Sequence, residues 1–274
     1  MEGVPEQLIG AYDRAAPTYD VAGFSYFAPF GERLAELALL QPGERVLDAA
    51  CGAGAVLAPA AQHVAPGGEV VGIDVAPRMV ERARLAVADV AHARAEVMDA
   101  TALRFADASF DAVLCGFGLS ALVDPDAALA EWRRVLSPEG RLGVSAWENL
   151  EDRRWLWEGE LLRELAHEVP AELLETVGRM SQRFNEADKL GAELEAAGFA
   201  GVSVHQMAIE RTYESAEAWW EWIWSHGTRA FAEALPEPAL ERFRSAAFER
   251  LAGAGRRARS RQFVALLATA RPAG

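Results

Sequence analysis

The chain has 274 residues, of which 51% are hydrophobic, and a formal net charge of −14. This length suits one large α/β domain or one domain with a substantial insertion, and the apolar content is enough for a sizeable core. The negative charge would repel a phosphate backbone, which argues against nucleic acid as a partner and favours a small molecule.

Residues 1–44 are predicted to form a helical segment that is part of a cap. From residue 45 to residue 150, short apolar runs alternate with helical stretches, which is typical of a parallel sheet covered on both faces. The predicted strands are 45–50, 69–74, 93–99, 110–116 and 140–147, and the predicted helices are 54–64, 77–91 and 125–136. The pattern therefore predicts a doubly wound α/β fold with a Rossmann-like, cofactor-binding core.

The pattern changes after residue 150. Residues 151–200 predict helices that lead back to the sheet, and residues 201–214 alternate as a strand does. The stretch 215–258 is helical, and 259–272 predicts a last strand. Since a hairpin needs only about 2–5 residues, we interpret 215–258 as a helical cap, inserted between the last two strands, over the substrate site.

The sequence RVLDAACGAGAVL, residues 45–57, has the order strand, glycine turn and helix that builds a nucleotide pocket. A dinucleotide fingerprint requires a small residue where Leu57 stands, and Asp48 would repel a pyrophosphate. Gly52 and Gly54 let the backbone approach a ligand, and the free N–H groups of the helix suit a carboxylate. Asp48 suits an ammonium group. An adenosine that carries an amino acid, such as S-adenosylmethionine, combines these groups.

Acidic residues also end the next two predicted strands. Asp74 follows Asp48 by 26 residues and lies where a carboxylate accepts both ribose hydroxyls, while Pro77 is better placed to open the following helix. Met79 is a candidate contact of the adenine, although methionine is more often a core residue. Asp99 either accepts the adenine amino group or caps the next turn. The acids together with the two glycines form a stronger signal than any of them alone.

These residues resemble those of the class I S-adenosylmethionine-dependent methyltransferases, in the group similar to ubiquinone and menaquinone biosynthesis methyltransferases. The resemblance lies between residues 11 and 147, in YDRAAPTYD, VLDAACGAG, VVGIDVAPRM, VMDATALRFADASFDAVLCGFGL and EWRRVLSPEGRL. It implies a seven-stranded, mostly parallel sheet with an antiparallel last strand. The cofactor contacts that it implies are Tyr19, Asp48, Ala49, Gly52, Gly54, Asp74, Met79, Asp99, Ala100, Cys115, Gly116 and Phe117.

Four tryptophans stand close together in AWWEWIWSHG, residues 218–227. On a helix, Trp220 and Trp224 share one face, and Trp219, Trp222 and Ile223 form another. The rings either pack a cap helix against the sheet or line a flat, apolar substrate pocket.

Phe24, Trp220 and Trp224 are the candidate substrate contacts. His226 and Tyr19 are the candidate general bases, which an oxygen acceptor would need. Alternatively, His226 only closes a helix before Gly227, where a cation is favoured.

The expected protein is a cytoplasmic methyltransferase, monomeric or homodimeric, that uses S-adenosylmethionine to methylate oxygen or carbon of a small, largely apolar molecule in specialised metabolism. An acidic N-terminus unlike a signal peptide, short apolar runs and only two cysteines support this location. No metal is expected, because no His or Cys cluster has ligand spacing. Two alternatives remain open: a cyclase or decarboxylase that uses the cofactor without methyl transfer, and a non-catalytic binding protein.

Overall fold

A computed structural model describes residues 6–20, 25–150 and 152–273 of the chain. The strands in these ranges are β1 (Arg45–Ala49), β2 (Glu69–Asp74), β3 (Ala93–Val97), β4 (Phe110–Gly116), β5 (Leu136–Trp147), β6 (Phe199–Thr212) and β7 (Ser260–Pro272). The α-helices are α1 (Glu6–Ala15), α2 (Phe27–Leu37), α3 (Leu57–His63), α4 (Pro77–Ala86), α5 (Pro125–Val135), α6 (Leu156–Leu165), α7 (Ala171–Arg183), α8 (Ala187–Ala196), α9 (Ala216–Trp224), α10 (Arg229–Ala234), α11 (Glu237–Ala252) and α12 (Arg256–Arg259).

The strands form one seven-stranded sheet in the order β3-β2-β1-β4-β5-β7-β6. Neighbouring strands from β3 to β5 are parallel, and β7 is antiparallel to β5. The predicted fold class is therefore confirmed. Several predicted bounds differ: β3 ends at Val97 rather than at residue 99, and α4 ends at Ala86 rather than at residue 91. The largest difference among the strands is at β5, which begins at Leu136 rather than at residue 140. Leu136 pairs with Phe110, and the register then shifts so that Arg141 pairs with Ala112, which leaves the predicted turn SPEG between them.

The chain divides into two compact units. The helical unit comprises Met1–Tyr26, Asn149–Arg179 and Ala208–Val264, and the sheet unit comprises Phe27–Glu148, Met180–Met207 and Ala265–Gly274. The predicted N-terminal segment 1–44 is thus shared between the units. Its second helix, α2, joins the sheet unit because Phe30, Leu34 and Ala35 make one side of it fully buried.

Side-chain alternation decides which strand residues share a face of the sheet. One face packs against α5 and α8 and includes Leu142, Val144 and Ala146 of β5. Ser145 and Trp147 alternate with these residues and therefore lie on the other face. Asp48 lies on this second face, together with Ser145 and Trp147, because its neighbours in β1 belong to the face that packs against α5 and α8. The face of Asp48 is the one that α2 covers, since a Cβ at Gly143 would meet Leu34 at 3.4 Å.

Residues 215–258 of the helical unit form four helices instead of one long one. Gly227 lies in the break between α9 and α10, Pro236 precedes α11, and Gly253 and Gly255 separate α11 from α12. Glycine interrupts a helix because ordering its backbone costs more entropy, and proline interrupts one because it lacks the N–H group. Across the described ranges, none of the helices combines the length and apolar character that a membrane span requires.

Candidate functional site

The loop between β1 and α3 has a backbone that few residues other than glycine adopt. Ala50, Gly52 and Gly54 have φ values of 55°, 52° and 93°, in the left-handed region where a Cβ is unfavourable. The Cys51 N–H donates to the Ile73 carbonyl at 2.8 Å, which ties the loop to β2. Turns that contain left-handed residues can present backbone N–H groups to an anion.

Asp48, the penultimate residue of β1, is completely buried just before this loop. Among the described residues, neither of its carboxylate oxygens has a hydrogen-bond partner of acceptable geometry. Burial raises the pKa of Asp48 well above its ordinary value, and the negative charge of Asp74 raises it further, whereas the N–H of Leu57 acts in the opposite direction. A buried carboxylate without a partner is costly, so this position fits a ligand that brings a positive charge.

Asp74, at the end of β2, holds the glycine loop in place. Its Oδ2 accepts a hydrogen bond from the Gly52 N–H and its Oδ1 accepts one from the Ala76 N–H, each at 2.9 Å. A carboxylate oxygen has more than one lone pair, so these bonds are compatible with further donors such as ribose hydroxyls.

Asp99 is exposed and caps the turn after β3. Its Oδ1 accepts hydrogen bonds from the N–H and the hydroxyl of Thr101, each at 2.8 Å. This is the capping alternative of the sequence analysis, and a contact of Asp99 with adenine stays a prediction.

The remaining predicted cofactor residues differ in how accessible they are. Ala49 and Cys115 are fully buried, and Met79 and Ala100 are 2% and 5% exposed. Gly116 ends β4 so close to α3 that a Cβ there would lie 2.6 Å from Val56. Contacts of the cofactor with these side chains therefore stay predictions, and Met79 belongs to the core of the sheet unit.

Two features near these strand ends were missed in the sequence. Val75 directly follows Asp74 and is 43% exposed, so it presents apolar surface beside the expected ribose position. Ala50 adopts a backbone conformation that favours glycine. A hydrophobic residue after a strand-ending acid was the available signal for Val75, whereas no sequence signal pointed to the φ of Ala50.

His226 lies in the helical unit, just after α9. Its Nδ1 donates to the Trp222 carbonyl oxygen at 2.6 Å, and its Nε2 lies 3.0 Å from the Thr228 hydroxyl. Burial lowers the pKa of His226 to about 3, and the charge of Arg261 lowers it as well, although the Trp222 carbonyl opposes them. The imidazole is therefore neutral at neutral pH, with both nitrogens held by residues of its own segment.

The other predicted residues of the helical unit are placed as follows. Trp219 and Trp222 are buried, whereas Trp220 and Trp224 are partly exposed and meet edge to face at 5.8 Å. Tyr19 lies in the same unit with its ring 6.3 Å from that of Tyr12. Phe24 lies outside the described residues. Substrate contact by any of these residues stays a prediction.

An ion pair between a buried Glu158 and a partly exposed Arg261 of the helical unit was also missed. Glu158 of α6 is 6% exposed, and its Oε2 lies 2.7 Å from Nη1 of Arg261 in β7. The Arg261 guanidinium lies over the rings of Trp155 and Trp222, at 5.4 and 5.1 Å. Glu158 and Arg261 are 103 residues apart in the chain, so spacing gave no sign of the pair.

A seven-stranded sheet with an antiparallel β7, a glycine loop after β1 and acids at the ends of β1 and β2 define the Rossmann-like methyltransferases as the class of protein. The described residues bring together no group of three or more His, Cys, Asp or Glu side chains suited to a metal ion.

Comparison with known proteins gives the family. A family model described as a methyltransferase domain matches residues 47–144. The chain is 34% identical to nocamycin O-methyltransferase of Saccharothrix syringae over 236 residues, which are 83% of this chain and 84% of that protein. It is 38% identical over 143 residues to aklanonic acid methyltransferase DauC of Streptomyces sp. strain C5, covering 52% of this chain and 65% of that one. The chain belongs to the S-adenosylmethionine-dependent methyltransferases.

The fold comparison agrees with this assignment. The YcgJ protein of Bacillus subtilis shares the fold with a TM-score of 0.58 at 20% identity, over 90% of this chain and 99% of that chain. On the sequence relatives above, the protein is an enzyme that uses S-adenosylmethionine as its cofactor and a small molecule as its substrate.

Proposed function

We propose that this enzyme transfers the methyl group of S-adenosylmethionine to an oxygen atom of a small, largely apolar molecule in specialised metabolism. An oxygen acceptor is supported by the nocamycin O-methyltransferase, which is similar over 83% of the chain. Carbon is the second candidate acceptor. The net charge of −14 supports a small molecule rather than a nucleic acid as the substrate.

The observation that carries the proposal is the buried carboxylate of Asp48, whose oxygens have no hydrogen-bond partner of acceptable geometry in the described part of the chain. When bound, S-adenosylmethionine supplies a methyl group activated by a sulfonium, on a molecule that also has an ammonium group. In our proposal Asp48 binds this ammonium, and the glycine loop leaves room for the amino-acid part. Asp74 accepts the ribose hydroxyls, and Val75 covers one side of the adenine.

Removal of the acceptor's proton is the step for which the chain must supply a base. His226 is neutral at neutral pH, which suits a base, but a pKa of about 3 makes it a weak one. Its hydrogen bonds to Trp222 and Thr228 support the helix-end alternative. Its role as a base stays a prediction, as does that of Tyr19.

The test uses S-adenosylmethionine with a ¹³C-labelled methyl group and a panel of phenols, enols and carboxylic acids. We expect a labelled product in mass spectrometry, and the ¹³C chemical shift then distinguishes an O-methyl from a C-methyl group. Asp74→Ala serves as the impaired variant, and Asp89→Asn, at an exposed position of the same unit, is the matched control. An unlabelled product that forms only with the cofactor present would contradict methyl transfer and favour the cyclase or decarboxylase alternative.

A further inference from the structure

Two large aromatic rings stack at the carboxyl ends of the neighbouring strands β4 and β5. Phe117 directly follows β4 and Trp147 is the last residue of β5. Their ring centroids are 4.1 Å apart and the planes meet at 23°, which is a stacked pair. Both side chains are partly exposed. Large aromatic rings are otherwise largely buried in cores, so a partly exposed stacked pair can offer its surface to a ligand.

Buried rings of α2 support this pair from one side. Phe30, which is fully buried, meets Phe117 edge to face at 5.5 Å and Trp147 at 5.7 Å. Phe27 is 9% exposed and contacts the same two rings at 5.4 and 5.9 Å. The stacked pair is therefore held rigidly, which lowers the entropic cost of binding a flat ligand on it.

The backbone at Phe117 is strained. Its φ is 62°, in the region that a bulky side chain rarely adopts. The strain is maintained by β5, because the Phe117 N–H donates to both the carbonyl and the hydroxyl oxygen of Ser145, each at 3.1 Å. Such strain is concentrated at functional sites.

The pair also lies at the edge and on the face of the sheet where Asp48 lies. In the sheet register Asp48 pairs with Leu114, and Leu114 pairs with Gly143. Phe117 and Trp147 follow these two partners along the parallel strands, toward the carboxyl edge. Trp147 alternates with the residues that face α5 and therefore lies on the face of Asp48. In open α/β sheets, ligands bind outside this edge.

We propose that Phe117 and Trp147 form an aromatic platform that selects acceptors with a planar ring system. The inference rests on the methyl transfer proposed above and names the feature of the acceptor that the enzyme recognises. A planar ring can stack over its whole area on the outer face of one ring of the pair, whereas a saturated ring of the same size contacts that face only through some of its hydrogens. Stacking of this kind corresponds to a preference of roughly five- to tenfold in affinity.

The test compares two probes that have the same carbon skeleton, 1-naphthol, which is planar, and decahydro-1-naphthol, which is not. Calorimetry measures the affinity of each for the whole protein saturated with S-adenosylhomocysteine. We expect the natural sequence to prefer 1-naphthol by roughly five- to tenfold, and Trp147→Leu and Phe117→Leu to lose this preference. Phe105→Leu replaces a half-buried ring near the start of β4 and should keep it.

Equal affinities of the natural sequence for the two probes, or no binding of 1-naphthol up to its solubility limit, would overturn the platform. So would an unchanged preference in Trp147→Leu. If Trp147→Leu does not fold, Trp147→Phe replaces it in the test. This variant keeps a smaller ring and should retain only part of the preference for 1-naphthol, so an unchanged preference would also overturn the platform. Failure of the natural sequence to bind S-adenosylhomocysteine would instead contradict the proposed function.

Discussion

Asp48 combines features that oppose stability in the free protein. Its side chain is fully buried, its oxygens have no hydrogen-bond partner among the described residues, and the charge of Asp74 acts on it. A group whose folded pKa is raised stabilises the fold at pH below its ordinary value and loses that contribution as the pH rises through the raised pKa. Asp48 therefore makes the free protein less stable at alkaline than at acidic pH.

Asp48→Asn removes this charge with little change in shape. We expect the variant to be more stable than the natural sequence by about 1–2 kcal/mol at pH 8 and by less at pH 5, because the raised pKa of Asp48 makes the natural sequence lose stability as the pH rises. Its affinity for S-adenosylmethionine should fall by about 1.5–3 kcal/mol through loss of a charge-assisted hydrogen bond. Denaturant unfolding at the two pH values and calorimetry measure these effects.

The matched control for this substitution is Asp89→Asn, which removes the same charge at an exposed position. This control should change neither the free energy of unfolding nor the affinity for S-adenosylmethionine. Binding of the ammonium group should also lower the pKa of Asp48, so the natural sequence should release protons on binding, as measured in buffers of different ionisation enthalpy. A variant with unchanged cofactor affinity would exclude Asp48 from the cofactor site.

Ala50 tests the backbone of the glycine loop separately from its charge. At a φ of 55°, glycine avoids the Cβ penalty of about 1–2 kcal/mol that alanine experiences, against an entropic cost of about 0.5–1 kcal/mol. Ala50→Gly should therefore stabilise the free protein by about 0.5–1 kcal/mol in denaturant unfolding. Ala53→Gly, in the same loop but without a positive φ, should destabilise it. Equal effects of both substitutions would show that the strain at Ala50 is absent.

His226 is expected to make the fold sensitive to acid. Because its pKa is about 3 in the folded protein, its contribution to stability is complete above its ordinary pKa and is lost as the pH falls toward the folded value. Between pH 7 and pH 4.5 the loss should be about 2–3 kcal/mol. His226→Asn should remove this dependence, whereas His167→Asn, at a residue whose side chain is 76% exposed, should not.

The same variant decides whether His226 takes part in the chemistry. If His226 is a general base, its replacement should lower turnover by a factor of about 10²–10⁴. If turnover stays within a few-fold of the natural sequence, His226 only closes the end of α9. A pH dependence of stability that is the same in His226→Asn and in the natural sequence would show that the folded protein does not lower the pKa of His226.

At the scale of elements, the ion pair of Glu158 and Arg261 links distant parts of the helical unit. Helix α9 begins at a capping residue, Ser215, whose hydroxyl accepts from the Ala218 N–H at 3.2 Å. One side of α9 presents Trp219, whose indole N–H donates to Glu158 at 3.1 Å. Glu158 belongs to α6 and Arg261 to β7. The pair thus connects three elements that are distant in the sequence.

Removing one partner of the pair should lower the free energy of unfolding far more than removing both partners. Glu158→Leu leaves the Arg261 guanidinium, whose side chain is 24% exposed, without its carboxylate and should destabilise the helical unit by about 3 kcal/mol. The double variant Glu158→Leu, Arg261→Met should recover most of this loss. Tryptophan fluorescence during unfolding reports mainly on this unit, because only Trp132 and Trp147 of the eight tryptophans lie in the sheet unit. A double variant as unstable as the single one would contradict the role of the charge.

At the scale of the whole molecule, the cap predicted for 215–258 is tested by hydrogen exchange. If α9, α10 and α11 close over a substrate, their amides should exchange faster than those of β1 and β4 in the free protein. They should become slower when S-adenosylhomocysteine and an acceptor are both bound. The strands serve as the internal reference. Protection of these helices equal to that of the strands without ligand would indicate a rigid packing unit instead.

The sequence by itself determined the order of elements and the central part of the candidate site. Strands buried on both faces read as continuous apolar runs, so β1, β2 and β4 were predicted within one residue of their observed bounds. Asp48, Gly52 and Gly54 were recognised because their roles depend on local geometry, namely a strand end and a turn. Periodicity also separated the buried Trp219 and Trp222 from Trp220 and Trp224, since a helix repeats every 3.6 residues.

Only the tertiary structure decided which distant residues meet. The stack of Phe117 on Trp147 depends on the pairing of β4 with β5, and the pair of Glu158 and Arg261 depends on the packing of α6 near the start of β7. Neither follows from spacing, because the chain between the partners is long and its path is set by the folded core. The burial that raises the pKa of Asp48 and lowers that of His226 likewise exists only once the chain has folded around them.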